Sequence, residues 1–164
     1  MATSISAVEA SQPERLVSAA TEVGAQATQL DNLITTQRAS VNKLRDCWSG
    51  SAADEAIARG EQNLALQEAL RDKLQTLQRV LSSGGGQLDS ARSALLDMVG
   101  QLRGQGWQIS DDGIATPPSY LSEAFRSYPQ AYTLLIQKLL KTYDRIDSET
   151  AGSFPAFDEW GVGA

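Results

Sequence analysis

The sequence predicts an all-α chain: one long antiparallel helical hairpin and a third, carboxyl-terminal helix, with a small β-like clip between them. Three observations point there. Apolar or small residues recur in a heptad through the first part of the chain and again from Leu70 to Leu102. Trp48-Ser49-Gly50 interrupts the pattern between the two seams, as the elbow of a hairpin would. A third apolar face, Tyr132 to Ile146, follows a Gly- and Pro-rich break. Composition agrees, because 41% of the 164 residues are apolar and only 6% aromatic. Such a mixture, rich in Ala, Leu and Val, suits narrow helix seams better than a thick core and predicts an elongated chain.

The first seam runs Leu16, Ala20, Val23, Ala27, Leu30, Ile34, Gln37, Val41, Leu44 and Trp48, alternately four and three apart, with Gln37 its polar interruption. It predicts a helix over about residues 14 to 46, with Pro13 near the first turn and Ser11 or Gln12 near the cap. Residues 4 to 12 can add helix before the proline. After the turn, Ser51 can cap a second helix, with Asp54 and Glu55 facing the positive end of its dipole. Its seam is Leu70, Leu74, Leu77, Leu81, Leu88, Ala91, Leu95, Met98 and Leu102.

Gly84-Gly85-Gly86 lies inside that seam, and three interior glycines cost about 3 kcal/mol relative to alanines. Leu81 and Leu88 are nevertheless seven apart, so the apolar phase is unbroken and favours one helix from about 51 to 103. At 1.5 Å per residue that helix is about 80 Å long. Folding the hairpin at residues 48 to 51 brings the glycines level with residues 13 to 15, where they can admit a close backbone crossing. The last turns of the second helix overhang the first and need another cover.

Gly104 and Gly106 end the second helix. Trp107 to Thr116 alternates around Asp112-Gly113, which reads as a tiny β-hairpin too short to stand alone. Pro117-Pro118 forces extended backbone, and Ser119 or Ser122 can start a short turn before Pro129 opens the third helix. Its face of Tyr132, Leu135, Ile136, Leu139, Leu140, Tyr143 and Ile146 is the natural cover for the overhang, or a docking face for a partner. The expected division is 1–103 hairpin, 104–118 linker with clip, 119–150 carboxyl-terminal helix and 151–164 irregular tail. The tail's aromatics, Phe154, Phe157 and Trp160, suggest that it lies down on something.

The net charge is −6, with Lys and Arg scattered, so nucleic acid is not an expected partner. There is no histidine, which removes the commonest general base and metal ligand together. The acids Asp111, Asp112, Asp144, Asp147, Asp158 and Glu159 show no spacing that builds a site, so no enzyme and no cofactor or metal is expected. The single cysteine, Cys47, reads as a small buried thiol. Residues 1 to 10 lack the features of a secretory signal peptide, and no stretch is long enough for a transmembrane segment.

Trp48-Ser49-Gly50 at the turn, flanked by two amphipathic helices, resembles the Trp-x-Gly (WxG) helical hairpins secreted by the type VII (ESX) systems of actinobacteria and related Gram-positive bacteria. The resemblance covers about residues 5 to 103, and the Gly-rich exit with its Asp-Asp-Gly-Ile-x-Thr-Pro-Pro clip is similar to amino-terminal modules of larger substrates. The family's export signal includes Tyr-x-x-x-Asp/Glu on a helix after the hairpin, and Tyr143 and Asp147 match it. They lie about forty residues past the second helix, farther than in the small hairpins. On a helix the pair shares one face, where a receptor groove could take ring and carboxylate together. Changing Tyr143 to Ala, or deleting residues 143 to 164, is then expected to leave folding intact and abolish export.

The resemblance implies a non-enzymatic substrate or substrate module, made in the cytoplasm, exported folded and ending secreted or at the cell envelope. It also implies pairing with a second hairpin, itself or another, into a four-helix bundle. Trp48 would plug the hairpin end or be half-exposed for recognition as well, with Gly50 freeing the turn and Ser49 capping locally. The seam residues Leu16, Val23, Leu30, Ile34, Val41, Leu44, Leu70, Leu74, Leu77, Leu81, Leu88 and Leu95 would carry the helix interfaces. A cytosolic helical adaptor or chaperone, binding a partner through the third helix and tail, is the alternative.

Overall fold

The computed structural model describes residues 3–121 and 127–156. In chain order these form helix α1 (Ile5–Ala10), helix α2 (Glu14–Cys47), helix α3 (Ser51–Gly104), strands β1 (Gln108–Ile109) and β2 (Ala115–Thr116), and helix α4 (Tyr128–Gly152). The hairpin, the clip and the third long helix are those the periodicities predict. The chain divides into two compact units, one of Met1–Val17 with Ser83–Ser153 and the other of Ser18–Ser82 with Phe154–Ala164.

In the first unit the late turns of α3 are covered as expected. Leu88, Leu95, Val99 and Leu102 meet Ile136, Leu140, Tyr143 and Ile146 of α4, with Trp107, Ile109 and Ala115 of the clip completing the core. The clip pairs Gln108 with Thr116 and Ile109 with Ala115, antiparallel. Its turn is closed by the Gly113 N–H donating to the Ser110 carbonyl at 3.0 Å. Two residues per strand cannot hold alone. The clip is fixed by the Ala115 N–H donating to Thr133 Oγ1 of α4 at 2.9 Å and by Trp107, edge-on to Tyr132 at 5.0 Å between centroids.

Helix α3 runs unbroken through Gly84-Gly85-Gly86, and two of the three glycines are there for close approach. A Cβ on Gly84 would lie 2.6 Å from Thr150 Oγ1, and one on Gly85 would lie 2.9 Å from Leu16 Cβ and 3.1 Å from the Pro13 carbonyl oxygen. A Cβ on Gly86 would meet nothing within 4 Å. Gly86→Ala is therefore expected to stabilise by about 1 kcal/mol through helix propensity alone. Gly85→Ala gains the same propensity but overpacks against backbone, at about 1–3 kcal/mol. Thermal melts of the two variants should shift in opposite directions.

In the second unit α2 and α3 pair antiparallel around Ile34, Val41 and Leu64, with Leu30 and Ile57 packed against them. The small residues Ala20, Ala27 and Ala53 are also buried. One flank of this seam carries ion pairs from helix to helix. Arg38 pairs with Glu68, Arg45 with Glu61, and Arg71 with Asp31 at 2.7 Å. Asp31, Arg38 and Arg45 are seven apart, as are Glu61 and Glu68, so the pairs recur on one edge. Each exposed pair contributes at most about 1 kcal/mol, so this ladder fixes register more than stability.

Several local expectations are corrected. Ser11 does not start α2: its N–H donates to the Ala7 and Val8 carbonyls and it closes α1, a separate helix. Ser51 is the first residue of α3 rather than its cap, because the Asp54 N–H donates to the Gly50 carbonyl at 3.0 Å. Cys47 is exposed, since it lies off the Leu44–Trp48 seam where α2 ends. Helix α4 starts at Tyr128, with Pro129 in its first turn, and continues through Ala151 and Gly152, two residues the sequence assigns to the tail. Ser122, Phe157 and Trp160, with Asp158 and Glu159, lie outside the described residues. Of the tail's start, Phe154 is exposed and the Ala156 carbonyl accepts from Lys73 Nζ at 2.8 Å.

Candidate functional site

At the tip of the second unit, α2 ends at Cys47 and α3 begins at Ser51. The turn depends on Gly50, whose φ of +113° is a conformation that side-chain-bearing residues rarely adopt. Space is not the reason, because a Cβ there would meet nothing within 4 Å. The Trp48 N–H donates back to the Leu44 carbonyl at 2.9 Å, yet its indole remains 48% exposed. Ser49 is exposed beside it.

Below the tip the seam is only partly closed. Ile34 and Val41 are buried, whereas Val23, Leu30, Leu44, Leu70, Leu74 and Leu77 are half-buried and Leu33 is exposed. Helical phase explains the difference. The ion-pair ladder occupies one flank, and Leu30, Leu33 and Leu44 of α2 with Leu70, Leu74 and Leu77 of α3 fall on the other. Among the described residues this second flank is an apolar stripe, half-buried and partly open to solvent. Leu16, Leu88 and Leu95 do not belong to it, because they pack in the core of the first unit. Leu81 is buried.

The first unit holds the Tyr143–Asp147 pair, and the two residues differ sharply. Tyr143 is 8% exposed, in the core cluster with Leu140 and Ile146, whereas Asp147 faces solvent. Being four apart on α4 does not present both to a receptor, because the ring follows the apolar face and the carboxylate sits at its edge. The expectation that Tyr143→Ala leaves folding intact does not survive this burial. Trp48 and Tyr143 belong to different units.

Residues that spacing did not single out hold α1 in place. Ser6 donates to the Asp111 carboxylate through its backbone N–H at 2.7 Å and its hydroxyl at 2.8 Å, and the Ile5 N–H donates to the Asp111 carbonyl at 2.9 Å. Arg92 donates to the carbonyls of Val8 and Glu9, at 3.1 and 2.7 Å, in the last turn of the helix, where the Val8 carbonyl also accepts from Ser11. The only signal for this in the sequence was Ser4 ahead of Ile5-x-x-Val8, too short to show a period.

The Ser6 N–H, then the Ser6 hydroxyl, hold the Asp111 carboxyl below the usual carboxylate range; the Ser4 hydroxyl and the charge of Arg103 on α3 assist, and partial desolvation opposes them. A carboxyl whose value is lowered by folding adds stability above its unfolded value, and that stability is lost as pH falls through the folded one. Asp111→Asn is therefore expected to lower Tm at pH 7, and the deficit should shrink as pH falls below about 4 and vanish only below the lowered folded value. A deficit that persists undiminished at pH 3 would assign the loss to something other than the carboxylate charge.

Among the described residues no three His, Cys, Asp or Glu side chains cluster so as to hold a metal ion. No helix among them is long and apolar enough to cross a membrane. Neither the curated proteins nor the solved structures offer a match to the chain. The family described as proteins of 100 residues with WXG does match, over residues 10–98, a stretch that contains the first seam, the Trp48-Ser49-Gly50 turn and the second seam as far as Met98. The chain therefore belongs to the WXG100 family, the Trp-x-Gly helical hairpins that are substrates of type VII secretion.

Proposed function

We propose that this chain is a non-enzymatic type VII (ESX) secretion substrate, exported folded after pairing with a second helical hairpin. Family membership supports export as the setting. The observation that carries the pairing is the apolar stripe of Leu30, Leu33, Leu44, Leu70, Leu74 and Leu77, half-covered by its own hairpin and bounded by charge on the opposite flank. A second hairpin laid on this stripe completes a four-helix bundle and removes the leucines from water. The partner is a hairpin of the same kind, a second copy or another chain with a leucine stripe. The exposed indole of Trp48 and the exposed carboxylate of Asp147 are the parts of the export determinant that machinery can reach on the folded chain.

Export from a host with an active type VII system tests this reading. Trp48→Ala and Asp147→Ala change exposed residues, so both variants should accumulate normally in cells, and both should be missing from the culture filtrate. Wild-type levels of either in the filtrate would remove that residue from the export determinant.

A further inference from the structure

Helix α1 has six residues, well under the about 12–15 at which an isolated helix becomes marginally stable, so docking alone maintains it. Ile5 and Val8, on one face, are 2% and 0% exposed, in the same core cluster as Leu140, Tyr143 and Ile146. Its ends are latched by charged groups, Asp111 at the amino-terminal end and Arg92 at the carbonyl end, which complements the helix dipole at both. Just ahead of it the Thr3 N–H donates to Asp144 Oδ2 at 3.0 Å, on the residue that follows Tyr143. Thr3 and Ser4 border one groove of about 530 Å³ with Asp111, Leu140, Lys141 and Asp144.

Residues 3–11 join α2 at Gln12-Pro13, a break between two helices about which the segment can swing. It is held by two buried apolar anchors, Ile5 and Val8, and by polar latches at its ends.

We infer that residues 3–11 are a latched strap that keeps Tyr143 covered, and that releasing the strap is the step that presents Tyr143 together with Asp147 to the export machinery. The inference rests on the reading of Tyr143 and Asp147 as an export signal. A receptor approaching the latched chain meets the carboxylate of Asp147 without the ring. Unlatching uncovers the α4 surface around Leu140 and Asp144, one helical turn from Asp147, and lets the ring turn out beside it. The strap thereby makes signal strength depend on an intramolecular equilibrium, and anything that captures residues 3–11 favours export.

Tetranitromethane nitration of the purified full chain, mapped by peptide mass spectrometry, reads the equilibrium directly. Tyr120, 74% exposed, is the reactive reference, and Tyr132, edge-on to Trp107, reports general loosening. The latch variant Ser6→Ala/Arg92→Gln/Asp111→Asn leaves Ile5 and Val8 intact, and Ile5→Ser/Val8→Ser removes the apolar anchors. Relative to Tyr120, Tyr143 nitration is expected to rise about tenfold in the latch variant with Tyr132 unchanged, and the exported fraction to rise with it. Tyr143 protected as in the wild type in both variants overturns the mask, as does an equal rise at Tyr132. Tyr143 reactive while export stays at the wild-type level overturns the regulatory role and leaves the signal reading standing. Normal export of Asp147→Ala sinks the signal reading, and the regulatory role with it; the nitration ratio still decides the mask.

Discussion

Tyr143→Ala is expected to destabilise the chain by about 3–5 kcal/mol, the usual result of truncating a buried aromatic ring. Tyr143 is 8% exposed in the core cluster with Leu140, Ile146, Leu88 and Leu95, and alanine would leave a cavity that neighbours on α3 and α4 could only partly fill. Tyr143→Phe keeps the ring and should melt much closer to the wild type. Urea denaturation followed by far-UV dichroism separates the two. Equal midpoints for Tyr143→Ala and the wild type would mean that the ring contributes nothing to the core. The same comparison governs any export experiment, because a Tyr143→Ala chain absent from the culture filtrate can have failed at folding. Asp147, exposed on α4, has no such ambiguity.

The second large effect is expected on pairing. Leu70 and Leu77 are seven apart on one stripe of α3 and half-buried, so Leu70→Asp/Leu77→Asp should cost the isolated hairpin little. Against a partner it removes two leucines worth about 1.5–3 kcal/mol each, which corresponds to a loss of at least about a hundredfold in affinity. Size-exclusion chromatography with light scattering, on the chain alone and with candidate hairpins, measures it. A complex that forms equally well with the doubly substituted chain would place the interface elsewhere.

The helices were legible because their seams are long. The heptads from Leu16 to Trp48 and from Leu70 to Leu102 recover the ends of α2 and α3 to within a residue, and the seven-residue step from Leu81 to Leu88 carried α3 through three glycines that propensity alone would break. The same phase placed Gly85 beside Pro13. What escaped was whatever is short or decided by contact between distant segments. Helix α1 itself falls within residues 4–12, which the sequence allowed as helix ahead of Pro13, but at under two turns it has no periodicity that could place its docking. Asp111 looked like an acid in a charged turn, and only the fold brings Ser6 to it, 105 residues away in sequence.

Tyr143 carried two compatible patterns, a place on the apolar face of α4 and the first position of Tyr-x-x-x-Asp. Spacing does not tell whether the ring is buried, and the fold buries it. Cys47 reads as buried by residue type but falls one step off the seam, and phase overrode type.

The three ion pairs along one flank of the hairpin bear on how far an assembly of such chains can grow. A two-helix unit with apolar stripes on both edges could add neighbours indefinitely, each new hairpin offering a fresh face, and would end as a filament. Here the edge carrying Arg38–Glu68, Arg45–Glu61 and Arg71–Asp31 has already paired its charges internally and offers an approaching leucine stripe only desolvation cost. On the proposed pairing through the leucine stripe, growth would stop after one addition, and the assembly would have a fixed size.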